Sequence, residues 1–156
     1  MGGAVVVMRR VETGETYVGE IPLQLFKGEA FKRQQYLDRA AELVQEGVAA
    51  LSVSMEEPIH ICTGYILSRA RETLKEKGFS VISATIRGET QNLTEEEFIR
   101  SLARMGVGDE SAIAGMRSFN GFLRWVQEDL DGRERYVKTG WPAWPRLKKE
   151  GETSGS

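Results

Sequence analysis

Two short apolar runs flank one helical pattern, and this strand–helix–strand order constrains the fold more than any other feature of the chain. Ile59-His60-Ile61-Cys62 is too compact for a helix and reads as a buried strand, broken by Thr63-Gly64. Ile66, Leu67, Ala70 and Leu74 then recur at helical spacing up to Lys77-Gly78, a basic last turn followed by glycine. Phe79 to Ile86 is strand-like again and is stopped by Gly88. Strands joined through a helix are normally parallel, with a right-handed crossover.

The flanking segments extend this pattern. Ala4 to Met8 is β-branched, and Tyr17, Gly19, Ile21, Leu23 and Leu25 alternate with more polar neighbours beyond the turn signal Glu12-Thr13-Gly14-Glu15. A β-hairpin is expected, with Pro22 pushing its second strand toward an edge or bulge. From Glu29 to about Leu51, Leu37, Ala40, Ala41, Val44 and Val48 mark one amphipathic helix. Thr94 with Glu97 fits a capping box, opening a helix that Gly106-Val107-Gly108 closes. A last helix is expected over about Ser111 to Leu130, weakened by Gly115 and Gly121. The class is therefore α/β, order β-β-α-β-α-β-α-α: a mixed sheet, N-terminal hairpin plus parallel strands, with helices on its faces.

At 156 residues the chain suits one domain, expected over 1–147, with a disordered polar tail over 148–156. No apolar run approaches the roughly 18 residues of a membrane helix, and MGGAVVVMRR lacks the order of a signal peptide, so a cytoplasmic protein without a membrane partner is expected. With 21 basic and 23 acidic residues the net charge is -2, which disfavours nucleic acid as a partner. Two asparagines, one cysteine and many Glu, Lys and Arg match the bias of heat-adapted proteins. One cysteine and one histidine give neither a disulfide nor a metal site built from those ligands, and no cofactor is expected.

The junction after Cys62 is the candidate site. N–H groups at a helix start lack intrahelical partners and carry partial positive charge, so they suit a phosphate or carboxylate. Thr63, Gly64, Tyr65, Ser68 and Arg69 are expected to hold an anionic small molecule there. Gln91 and Asn92 follow the neighbouring strand, and ligands of open α/β sheets bind at the carboxyl ends of strands, so Gln91 joins the candidate set. Asn92 and Thr94 also suit the opening of a helix. Trp141 and Trp144, interleaved with prolines, suit packing over the core or against a second subunit, which leaves self-association open. None of this assigns a reaction.

Three resemblances accompany these readings. The element order, and the segment from Ile59 to Met105 with Thr85-Ile86-Arg87-Gly88-Glu89-Thr90-Gln91-Asn92, resemble the ribonuclease H-like architecture with one antiparallel strand missing. The same stretch is similar to small archaeal proteins of unassigned activity. The ribonuclease H-like resemblance implies two-metal phosphodiester cleavage by converging carboxylates. Val5 to Arg10 and Thr63-Gly64 lack the acids required, and only Glu42 and Glu95 or Glu96 match. An inactive scaffold acting through protein or nucleic-acid contacts is what the resemblance then implies. His60-Ile61-Cys62-Thr63-Gly64 with Arg69 also looks like the loop of cysteine phosphatases. It departs from that loop in the residue between His60 and Cys62 and in an arginine one residue late.

Overall fold

A computed structural model describes residues 1–154. Strand β1 (Ala4–Arg9) pairs antiparallel with β2 (Thr16–Ile21), Ala4 opposite Ile21 and Arg9 opposite Thr16. The second strand stops earlier than its alternation suggests. Pro22 carries no N–H for the ladder, and Leu23–Phe26 coils into a 3-10 turn instead.

The single helix expected from Glu29 is two. Helix α1 (Gly28–Lys32) and α2 (Gln35–Ala50) are separated by Gln34, whose left-handed backbone (φ 56°) no regular helix accommodates. Helix α2 ends where Ser52 N–H donates to Ala49 O and Val53 N–H to Val48 O, a Schellman closure with serine at the left-handed position (φ 51°).

Strand β3 (Pro58–Ile61), helix α3 (Ser68–Glu76) and strand β4 (Ser80–Ser83) form the expected parallel unit, Pro58 in register with Ser80 and Ile61 with Ser83. Gly78 (φ 91°) closes α3, with Phe79 N–H reaching Leu74 O. Only the first half of the run from Phe79 to Ile86 becomes strand, because β3 offers no rung past Ile61.

The class is mixed α/β in the expected order, yet hairpin and parallel pair hydrogen-bond as two separate two-stranded sheets. Helix α2 joins them by burying two faces. Leu37, Ala40 and Leu43 meet Ile21, Leu23 and Phe26 on one side. On the other, Ala41, Val44 and Val48 meet Ile59, Ile61 and Leu74. A helix apolar on two sides supplies the bridge that one continuous sheet would otherwise provide.

Helix α4 (Glu89–Met105) packs along β1 and starts five residues before the expected capping box. Thr94 sits inside it, its hydroxyl donating to Thr90 O at 2.8 Å, so neither Thr94 nor Asn92 opens the helix. Residues 89–93 tolerate helix, and the turn begins directly after Gly88 (φ 73°). Gly106 (φ 94°) ends α4 as expected, with Val107 N–H on Leu102 O.

The pattern over Ser111 to Leu130 is three helices: α5 (Glu110–Met116), α6 (Phe119–Gln127) and α7 (Leu130–Arg133). Each starts on a side-chain cap, Asp109 for Ala112 N–H, Ser118 for Gly121 N–H and Asp129 for Gly132 N–H. Residues 148–154, expected to be disordered, belong to helix α8 (Trp144–Ser154); Gly155 and Ser156 lie outside the described residues. Trp144 is 5% exposed among Val126, Val137 and Leu147, its indole N–H donating to Glu134 at 3.1 Å. Lys148 pairs with the same carboxylate at 2.8 Å. The helix is thus anchored by burial and by charge. Trp141 stays 42% exposed, edge-on to Phe119. Among the described residues no helix is long and apolar enough to cross a membrane.

Candidate anion site at the strand–loop–helix junction

Because β3 and β4 are parallel, the segments leaving their carboxyl ends, Cys62–Gly64 and Ala84–Gly88, emerge at the same edge. The last rung is Ala84 N–H on Ile61 O at 2.9 Å. Beyond it Thr63, Gly64 and Tyr65 are exposed, while Cys62, Ser68 and Arg69 are half-buried.

Helix α3 is preceded by a 3-10 turn, Tyr65–Leu67. Leu67 N–H donates to Gly64 O at 3.1 Å, and the N–H groups of Tyr65 and Ile66 lie ahead of this first bond, without a partner inside the turn. Gly64 has an ordinary backbone (φ -56°), and a Cβ on it would meet nothing within 4 Å. Its smallness serves neither conformation nor packing against the chain; it leaves the loop open to approach.

The residue that sequence reasoning missed is Arg71. Its Nη1 donates to Cys62 O at 2.6 Å and to Gly64 O at 3.0 Å. The two carbonyls fix the guanidinium beside the loop, and its Nε and Nη2 have no hydrogen-bond partner among the described residues. A signal existed: side chains in the first turn of a helix point back over the preceding segment, and Arg71 is the fourth residue of α3.

The other candidates are held mainly by α2 and by their own helices. Arg69 forms a close ion pair with Asp38 on α2. The Tyr65 hydroxyl accepts from Gln34 Nε2 at 2.7 Å, which gives the left-handed Gln34 a place in the junction's support. Gln91, in the first turn of α4, donates to Glu95 at 3.3 Å within its own helix. His60 lies exposed on the outer face of the parallel pair, opposite in direction to the buried Ile59 and Ile61.

The carboxylates singled out by the ribonuclease H-like resemblance are each engaged by arginine: Glu42 by Arg39 at 3.0 Å, Glu95 by Arg117 at 2.9 Å and Glu96 by Arg100 at 3.7 Å. The Arg117 hydrogen bond, then that of Gln91, holds the Glu95 carboxyl below its usual range. Among the described residues no three His, Cys, Asp or Glu side chains gather in a metal-binding arrangement. Two shallow depressions of about 370 and 360 Å³ flank Trp125, on a different part of the fold from the junction. No family model matches the chain, and no curated protein or solved structure resembles it at a significant level.

Proposed function

We propose that the protein binds a small phosphate- or carboxylate-bearing molecule at the junction of β3 and α3. Thr63, Gly64, Tyr65 and Ser68 form the cradle, and Arg71 supplies the fixed cation. The observation that carries this reading is the double anchoring of Arg71 on the Cys62 and Gly64 carbonyls. Held in this way, a guanidinium keeps free donors at the mouth of the loop without the entropy cost of ordering a long side chain on binding. The unpartnered Tyr65 and Ile66 N–H groups add the partial positive charge of a helix start. Arg69, already paired with Asp38, is the weaker contributor, and Gln91 joins only by releasing Glu95.

The test is a phosphate titration followed by amide chemical shifts. Saturable shifts confined to Thr63 through Leu67 are expected, and Arg71→Met should weaken the affinity at least about tenfold, the value of one charge-assisted hydrogen bond. Shifts that spread without saturating, or that persist unchanged in Arg71→Met, would remove the proposal.

A further inference from the structure

We infer that the outer edge of β4 is a homodimerisation strand, pairing antiparallel with the β4 of a second copy around a two-fold axis at Ile82. Among the described residues β4 has one neighbour, β3, and its other edge pairs with nothing. In a strand the N–H and C=O groups alternate in direction. Ala84 donates to Ile61, so the even-numbered residues point at β3 and the polar groups of Val81 and Ser83 point away from it.

Natural edges are protected by charge, proline, bulges, a covering element or the shortness of the strand, and β4 has four residues. This one has none of the first three, since no charged residue or proline occurs from Phe79 to Ile86. Nor is it covered: Ser80, Ile82 and Ser83 are all exposed. A parallel pair with an open face is itself unusual, because parallel sheets are ordinarily buried on both sides.

The hydrogen-bond directions restrict the occupant's register, and the exposed Ile82 chooses among the two-fold axes they allow. An antiparallel partner must place outward-facing groups opposite outward-facing groups, which excludes pairing Val81 with Ile82. Centring on Ile82 sets Val81 opposite the second copy's Ser83, in a bonded pair. Ile82, 43% exposed, then lies against its own counterpart in the closer, non-bonded pair. Every position from Phe79 to Thr85 meets an uncharged residue in this register, so the strand is complementary to itself, as an isologous contact requires. The contact is short beside a standard interface of roughly 800 Å² per partner, so a weak dimer is expected, in equilibrium with monomer.

Sedimentation velocity over a concentration series tests the inference on the full chain. A monomer–dimer equilibrium is expected, with Ile82→Lys raising the dissociation constant at least tenfold while the far-UV spectrum is unchanged. Ser83→Pro removes one outward N–H without touching the β3 ladder and should do the same. Contacts between Ile82 residues of different copies, seen by nuclear Overhauser effects in a mixed-label sample, would fix the register. A chain that stays monomeric at tens of micromolar, or a dimer that survives both substitutions, would overturn it.

Discussion

Gly47→Ala sets helix propensity against packing, and the structure decides the sign. Gly47 lies inside α2, where alanine in place of glycine ordinarily stabilises by about 1 kcal/mol. Here the added Cβ would stand 2.9 Å from Tyr17 Cδ1 and 3.2 Å from Met8 Sδ, on the hairpin that α2 covers. Carbon contacts are comfortable at about 3.5–4.0 Å, so helix or hairpin must yield by about 0.6 Å. Tyr17 cannot swing aside freely, because its hydroxyl donates to Glu46 at 2.7 Å. Gly19 faces α2 from the hairpin, where a Cβ would stand 2.6 Å from Leu43 Cδ2. Overpacking of this kind costs roughly 1–3 kcal/mol, leaving a net destabilisation of about 1 kcal/mol. Urea unfolding followed by circular dichroism measures it, with the denaturant slope expected to be unchanged. Gly115→Ala is the control. Gly115 is helical, exposed and has nothing within 4 Å of a Cβ, so alanine there should stabilise by about 0.5–1 kcal/mol. A Gly47→Ala protein more stable than the parent would refute the close approach of α2 to the hairpin.

Two further outcomes follow from buried groups outside the junction. Burial pushes the Lys138 amine down to about 8, while a hydrogen bond at the Met1 amine opposes the shift. The unfolded chain therefore holds this proton up to the ordinary value near 10.5, and raising the pH from 8 to 10.5 should favour the folded state. The Lys138 contribution is up to about 3 kcal/mol, opposed near the top of the window by Tyr17, which burial and Glu46 push up to about 12, and the rise should be lost in Lys138→Met when unfolding free energies are compared across that window. Trp144→Ala should cost about 3–5 kcal/mol by the same assay, because the indole is buried and bonded to Glu134; a cost below 1 kcal/mol would mean that α8 is not part of the core.

Elements bounded by glycine or proline were readable from sequence, since those residues act through the local backbone alone. Gly78 and Gly106 close α3 and α4 where expected, and Pro22 disturbs β2 as its missing N–H requires. Breaks made by ordinary residues were not readable. Gln34, bonded to the Tyr65 hydroxyl, and Ser52, in the Schellman closure of α2, take left-handed conformations that their residue types do not signal. The Thr94–Glu97 capping box failed because it is permissive, and Glu89 to Leu93 extend the helix past it. The long apolar run of β4 exceeded its partner, so pairing, not propensity, set the strand length. At the junction, sequence located the loop and the helix start through Thr63-Gly64. It did not show that Asp38 engages Arg69, a contact between α2 and α3 formed only in the folded chain, while the first-turn position of Arg71 was the one signal for its return onto the loop carbonyls.

Anomalous scattering from selenate, a phosphate-shaped anion, tests anion binding at this junction most directly. In crystals grown with selenate, a peak is predicted within hydrogen-bond distance of Arg71 and of the Tyr65 and Ile66 N–H groups, and it should disappear in Arg71→Met. Selenate bound elsewhere on the molecule, with no density at the Thr63–Ile66 loop, would contradict the account.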